Sequence, residues 1–388
     1  MKKKYKILFI DHGAKPIGGG QMNIISLIKD IDKNIFEPSL ISSKENAFTC
    51  NVKSMGIPVN IIKYSETLSL AYRNEVNRSK YLQFLRIKEL FNLVYRLYVA
   101  IKKNQYDIIH PCDNVSRIAA SFAARIAGVP IVCQITDDYE YNFINLMLIR
   151  CICLNMDYIM PVSNKVAIPF NNRINTKKVK VLYIGIDFEY YTRTITQHDA
   201  KKALNIKSEV LVISIIANLI PIKGHNDLFC AIAKFKKVYS QPFRCLVVGD
   251  GPLMGALVKY AKDLKIEEEV IFLGHRQDIP SLLSAIDILV VPSHTEAAPR
   301  VILEAAAMSV PAIATNVGGN PEMIQDGVTG ILVQKGDTDA ISNALFQLKD
   351  ESTREVMGKL AYDRAILLHC NKKITKAIEE IYITCIQK

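Results

Sequence analysis

Along the chain, short runs of Val, Ile and Leu alternate with longer stretches in which apolar residues recur every three or four positions. The short runs read as strands and the periodic stretches as helices. In the first half the runs predict strands at residues 6–10, 38–41, 59–62, 108–110, 131–135, 158–162 and 179–183. In the second half they predict strands at 211–216, 245–248, 270–273, 288–291, 312–314 and 330–333. Strands alternating with helices specify an α/β protein built from doubly wound parallel sheets. The pattern lapses after Gly185-Ile-Asp187: the stretch from Tyr190 to Lys201 is polar and has no apolar period. A boundary near residue 193 is expected there, giving domains 1–192 and 193–370 and a terminal segment 371–388 that contains a helix from Ile374 to Ile386.

Length agrees with two domains, since 388 residues exceed the usual limit of a single core. The basic start, Met1-Lys-Lys-Lys-Tyr-Lys, is followed by an apolar run too short for a signal peptide and ended by Asp11-His12-Gly13, so it reads as a first buried strand. The apolar stretches 141–156 and 210–222 are broken by Arg150 and by Asn218 and Pro221. Both fall short of the ~20 residues that cross a bilayer, and no transmembrane helix is expected. The nine cysteines follow no disulfide or zinc spacing and are expected to be reduced thiols of a cytoplasmic protein.

Charge changes the picture more. The net charge is +11, and residues 1–105 hold 18 Lys and Arg against 8 Asp and Glu. Between residues 72 and 103, Arg73, Arg78, Lys80, Arg86, Lys88, Arg96, Lys102 and Lys103 are interleaved with Tyr81, Phe84, Phe91, Tyr95 and Tyr98. Two readings stand. One is a basic amphipathic helix suited to an anionic membrane surface or a phosphorylated acceptor, which would place the protein at the inner face of the cell membrane. The other is a core helix with a solvated basic rim. No helix-turn-helix, zinc or RNA-binding signature accompanies the charge, so nucleic acid is not an expected partner.

The densest candidate chemistry is Ser-His-Thr-Glu-Ala-Ala-Pro-Arg-Val-Ile-Leu-Glu-Ala at 293–305, where Glu296 and Glu304 stand eight positions apart. Pro299 is expected at the first position of a helix, with Glu296 on the loop before it and Glu304 within it. A helix start suits a phosphate, and flanking carboxylates accept hydrogen bonds from sugar hydroxyls. Gly18-Gly19-Gly20 likewise stands between a strand and a helical run, where backbone can approach an anion. Asp337-Thr-Asp339 has the Asp-x-Asp form of a metal motif but directly precedes a helix, so capping is expected and no metal site is predicted.

From Ile288 onward the chain runs Ile-Leu-Val-Val-Pro-Ser, the Glu pair, Pro311-Ala-Ile-Ala-Thr315, Gly318-Gly-Asn-Pro-Glu322 and Asp326-Gly-Val-Thr-Gly330. This succession resembles the donor-binding half of the retaining glycosyltransferase family 4. That resemblance implies a GT-B fold, two Rossmann-like domains facing across a cleft, with the final helix packed back on the first. It also implies that Glu296 contacts the transferred sugar and Glu304 the ribose of its nucleotide. Ala217-Asn-Leu-Ile-Pro-Ile-Lys-Gly-His225 is similar to the family's Gly-Arg-Leu-x-x-x-Lys-Gly, which assigns Lys223 to the diphosphate and leaves Asn218 where Arg is usual. Arg300 is expected to supply part of that missing charge. Gly19, Gly20, Arg276, Ala298, Pro299 and Val301 complete the donor side. On the acceptor side are Gln21, where Glu is common, His110 at a strand end facing the cleft, a lone His for which a structural reading stands beside the catalytic one, Thr136, where His is common, and Asp137. Ile184 and Ser309 replace the family's Asn and Gly, the latter harmlessly if the turn needs no positive φ.

The implied activity is retaining, metal-independent transfer of a hexose-type sugar from a UDP- or GDP-linked donor to a saccharide or lipid-linked acceptor of surface polysaccharide or glycolipid synthesis. No cofactor is expected beyond the donor substrate. The departures at Asn218, Thr136 and Ile184 keep two alternatives open: a non-catalytic binding protein with the same fold, and a sugar-nucleotide epimerase.

Overall fold

The computed structural model describes residues 4–12, 18–64, 80–137, 143–171 and 178–388. The chain divides into two compact units, residues 1–185 with 371–388, and residues 186–370. The crossing after Gly185 falls earlier than the 192/193 boundary because residues 186–191 pack into the second unit, where Ile186 and Tyr191 are buried.

The first unit contains strands β1 (Tyr5–Asp11), β2 (Phe36–Ser42), β3 (Val59–Ile61), β4 (Ile108–Pro111), β5 (Val132–Ile135) and β6 (Tyr158–Pro161). Its helices are α1 (Gly19–Asp30), α2 (Ala47–Ser54), α3 (Lys80–Asn104), α4 (Asn114–Ala127), α5 (Phe143–Asn155) and α6 (Asn164–Asn171). The strands are parallel in the order β3-β2-β1-β4, and β4 continues to the β5-β6 pair through a bridge between Ile109 and Ile131. Helices cover both faces of this sheet, which is why Ile7, Leu8, Phe9 and Ile10 of β1 are all buried. Residues 179–183, expected as a seventh strand, form only an isolated bridge to β6, with backbone bonds from Lys180 and Leu182 to Ile159 and Pro161.

The second unit holds β7 (Leu211–Ile216), β8 (Phe243–Val248), β9 (Val270–Gly274), β10 (Ile288–Val291), β11 (Ala312–Thr315) and β12 (Gly330–Val333), parallel in the order β12-β11-β10-β7-β8-β9. Its helices are α7 (Gln197–Ala203), α8 (His225–Val238), α9 (Met254–Asp263), α10 (Ile279–Ala285), α11 (Arg300–Ala307), α12 (Asn320–Met323), α13 (Thr338–Gln347) and α14 (Glu351–His369). Phe229, Phe235, Ile213, Val247 and Val290 are among the buried residues of its core.

The chain then crosses back. Helix α15 (Asn371–Ile386) belongs to the first unit, where Ile378, Ile381, Tyr382 and Cys385 join Phe9, Phe36 and Leu40 in one core. Gly185 fits this return because an added Cβ would meet the Asn371 side chain at 2.4 Å. Both sheets are doubly wound: the connection after the central strand leaves to one side, and the chain later returns to the other, between β1 and β4 and between β7 and β10. Ligands of open α/β sheets bind outside the carboxyl ends of the strands at such switch points. Among the cysteines, burial pushes the Cys133 and Cys245 thiols up to about 12, so both behave as small hydrophobes.

One sequence departure carries a cost. Ser309, in the turn after α11, has φ +56, the left-handed conformation that favours glycine. Ser309→Gly is therefore expected to stabilise the protein by about 0.5–1 kcal/mol after the added chain entropy is discounted. Chemical denaturation of the two proteins measures this, and an unchanged or lowered midpoint would contradict it.

Candidate active site

The loops that follow β7 and β10 flank the switch point of the second sheet. After β7 the chain makes a single 3-10 turn at Pro221–Lys223, closed by Gly224 in the left-handed conformation, and then begins α8. After β10 it runs through Pro292, Ser293 and His294 to Glu296 and on to α11. The two loops are bonded together: His294 N donates to the Ile222 carbonyl at 2.7 Å, and the His294 ring pairs with Asp227 of α8 at 2.7 Å. At its far side the second loop is held by Thr315, whose hydroxyl donates to the Ser293 carbonyl at 2.5 Å, and by Gly319 N, which donates to the Glu296 carbonyl at 3.2 Å.

This framework brings Lys223 Nζ to 2.5 Å from Glu296 Oε1, which also accepts from the Ser293 hydroxyl at 2.7 Å. The ammonium keeps 22% of its exposure and the carboxylate 11%, so the pair is half-buried rather than sealed. Next in sequence, His225 is buried with neither ring nitrogen hydrogen-bonded, and burial beside Lys223 lowers it to about 4. It is therefore neutral at ordinary pH and adds no charge to the site.

Glu304 lies in α11, and its Oε1 accepts from the Tyr191 hydroxyl at 2.7 Å and from Arg300 Nε at 3.1 Å. Burial and the neighbouring carboxylate raise the Tyr191 phenol well above its usual range, so it stays a proton donor to Glu304. Arg300 is buried and bonded to Glu304. The helix begins at Arg300 with Pro299 as its N-cap, one position later than the sequence suggested. Ala298 and Val301 flank this start, both half-buried. Asn218 is exposed just beyond β7, and Arg276 forms a bidentate pair with Asp278 at 2.8 and 2.6 Å beyond β9, two strands away from β7. Among the described contacts, nothing joins Arg276 to Lys223 or Glu296.

The switch point of the first sheet carries a second cluster. Asp113 caps α4: one carboxylate oxygen accepts from the backbone N of Val115 and of Ser116, the other from His12 N and the Ser116 hydroxyl. The His12 ring lies 3.6 Å from Asp113. Asp11, His12 and Asp113 are close enough together to suggest a cation site, but four donors already engage Asp113, which fits a helix cap better than a metal ligand. Gln21 is buried and donates to Asp11 at 2.8 Å while its carbonyl oxygen takes Gly18 N at 3.4 Å. Glutamate at this position would set two carboxylates against each other. Gly19 and Gly20 open α1 beside it.

Arg117, fully buried, holds the other strand ends, donating to Asp137 at 2.7 Å and to the Gln134 and Cys112 carbonyls. Thr136 is half-buried between Gln134 and Asp137. His110 does not face an open strand end. It is 3% exposed, shares a 2.5 Å hydrogen bond with Tyr382 of α15, and is lowered to about 3 by burial. It is a core residue, and the acceptor-side reading of it is corrected. Ile184 is buried too. Asp337 caps α13 through Ala340 N at 2.8 Å, and Asp339 pairs with Lys234.

The residues 196–364 match the family described as glycosyl transferases group 1. Over that stretch the chain is similar to group 1 glycosyl transferases. It is 29% identical over 321 residues to the UDP-Gal:alpha-D-GlcNAc-diphosphoundecaprenol alpha-1,3-galactosyltransferase of Escherichia coli, covering 76% of this chain and 80% of that one. It is 36% identical over 208 residues to the N-acetyl-alpha-D-glucosaminyl L-malate synthase of Bacillus anthracis, covering 53% and 54%. The fold is similar to that of Anabaena HepE, solved with UDP and glucose, at a TM-score of 0.81 and 23% identity over 98% of this chain and all of that one. The fold is thus of the GT-B class, two Rossmann-like units with parallel sheets.

Tyr191, Ser293, His294, Asp227 and Arg117 were missed in the sequence. Each acts by holding a neighbour, and only their places beside strand ends could have flagged them. Two measurements test this geometry. An added Cβ at Gly318, φ +54, would meet the Glu296 carbonyl at 1.4 Å, whereas one at Gly327, φ +71, meets nothing within 4 Å. Gly318→Ala should cost on the order of 2–4 kcal/mol and Gly327→Ala about 1 kcal/mol, both by denaturation; equal losses would show that strain alone matters. In an NMR titration, His12 should titrate above 6.5 because of its Asp113 partner, and His110 and His225 well below it. A raised folded-state value means the His12 pairing stabilises fully below pH ~6.5 and fades as pH rises through the folded value. A His12 resonance titrating below 6.5 would refute the pairing.

Proposed function

We propose that this glycosyltransferase moves a hexose, with retention and without a metal ion, from a UDP-linked donor to a sugar carried on a lipid diphosphate. The observation that supports the reading is the Lys223–Glu296 pair at the switch point of the second sheet. Lys223 neutralises the diphosphate as the bond from the sugar's anomeric carbon to phosphate oxygen breaks, where its charge counts most in the transition state. Glu296, turned by Lys223 and Ser293, orients the sugar hydroxyls. Glu304 takes the ribose with Oε2, since Tyr191 and Arg300 both engage Oε1. The acceptor hydroxyl attacks on the face the phosphate leaves, and its proton passes to the departing phosphate oxygen. No protein base is required.

A UDP donor is favoured over GDP by the UDP complex of HepE and by the UDP-galactose named for the Escherichia coli relative, and the lipid diphosphate by that relative's acceptor. The work would then take place in the cytoplasm at the inner face of the membrane, with no cofactor. Incubation with UDP-glucose, UDP-galactose and GDP-mannose and a short-chain GlcNAc-diphospho-lipid, read by mass spectrometry and NMR, tests this. An α-glycoside insensitive to EDTA is expected. A β-linked product, or activity lost to EDTA and restored by a divalent cation, overturns the mechanism. An altered nucleotide sugar without transfer would reveal an epimerase, and no reaction with retained UDP binding a binding protein.

Lys223→Ala should lower kcat by about 2–4 kcal/mol in barrier while changing UDP affinity less. Glu304→Ala should weaken UDP binding, and Glu296→Ala should lower turnover with UDP affinity nearly kept. Titration calorimetry with UDP reads the difference, and equal affinity losses in the two glutamate variants would refute their assignment.

A further inference from the structure

Among the described residues, helix α3 has an unpartnered apolar ridge. Its inner face is buried through Leu93, Leu97 and Ile101, while Ile87, Phe91, Tyr95 and Val99 point outward at every fourth position. Phe91 is 70% exposed and Tyr95 65%, so neither belongs to the core. Residues at that spacing share one helix face, and these four extend over about 18 Å. Helix α3 packs on α4, and α4 on α5. Those neighbours also turn large apolar residues outward, Ile126 at 65% and Leu154 at 67% exposure, and Arg125 of α4 reaches the Leu154 carbonyl.

The charge around this ridge is one-sided. The sequences of the three helices contain one acidic residue, Glu89, against Lys80, Arg86, Lys88, Arg96, Lys102, Lys103, Arg117, Arg125 and Arg150. Lys88, Lys102, Lys103 and Arg150 are exposed, with Lys102 and Lys103 continuing the line of the ridge. The remainder of the basic segment noted in the sequence, residues 72–79, lies outside the described residues, as do the side chains of Tyr81, Phe84 and Arg86.

We infer that the outer face of α3, α4 and α5 docks on an anionic lipid bilayer, with Ile87, Phe91, Tyr95 and Val99 entering the headgroup boundary and the surrounding cations meeting lipid phosphates. Apolar tips ringed by long basic side chains are the composition of an interfacial surface. A second copy of the chain fits less well, because a two-fold contact would set this basic face against itself. The inference deepens the lipid-linked acceptor reading, for it brings the first unit to the surface where such an acceptor resides. Its test uses neither donor nor acceptor, so each can fail without the other.

Full-length protein is sedimented with phosphatidylcholine vesicles of rising phosphatidylglycerol content. Bound protein should rise with phosphatidylglycerol and fall with salt. Phe91→Ser with Tyr95→Ser, and separately Lys88, Lys102, Lys103 and Arg150 all to Gln, should each weaken partitioning about tenfold or more while circular dichroism stays unchanged. Because the chain has no tryptophan, Phe91→Trp gives a single reporter that does not depend on these variants. Its emission should shift to the blue on anionic vesicles and be quenched by brominated lipid. Binding indifferent to lipid charge, an unshifted indole emission from the Phe91→Trp protein, or a solution dimer dissociated by Phe91→Ser would overturn the inference.

Discussion

The second unit's site depends on how closely two stretches of backbone can approach the loop after β10. Gly224 passes so near the Pro292 carbonyl that a Cβ would stand 2.0 Å from it, and Gly318 nearer still to the carbonyl of Glu296. With both glycines in place, the loop is pinned between the turn after β7 and the start of α12. Lys223 and Glu296 then face each other across a strand boundary from positions 73 residues apart. The ion pair is a result of that fit and not its cause. A largely buried pair of this kind must offset its lost hydration before it stabilises anything, whereas the packed carbonyls and the bonds from His294, Thr315 and Gly319 fix it in place.

The two units use one architectural rule with different chemistry. In each, a central strand parts the sheet and the loops at its carboxyl end gather polar groups. In the second unit these groups are a cation, two carboxylates and a phenol, suited to a sugar nucleotide. In the first they are a network of caps and buried pairs, with Asp113, Arg117 and Gln21 each bonded to neighbours. Such a network holds its loops rigid.

The strands were legible because a parallel strand covered on both faces announces itself as a short apolar run; 211–216, 288–291 and 330–333 match to the residue. Glu296, Glu304 and Lys223 stood out through the order of motifs that carries the family resemblance, and the fold brings Lys223 and Glu296 together. Hidden from the sequence were features that exist only once the chain is folded. His110 read as a strand-end residue facing the cleft, and only the return of α15 shows that Tyr382 covers it. Ser309 read as a mild replacement, yet its turn requires a positive φ. Phe91 and Tyr95 could have been core or surface, since amphipathic periodicity does not say which apolar stripe is the buried one when a helix carries two.

The path of the chain has a consequence for its synthesis. The first unit starts at the amino terminus, is interrupted after Gly185, and is completed only by α15, which supplies Ile378, Ile381, Tyr382 and Cys385 to its core. Domains fold as units while the chain emerges from the ribosome. The intervening unit, one unbroken stretch, can therefore mature while the half that began earlier still has a gap over β1 and β4. Synthesis of α15 closes that gap, so the unit begun first becomes native after the one begun second, and a chain interrupted before α15 leaves the second unit whole and the first open.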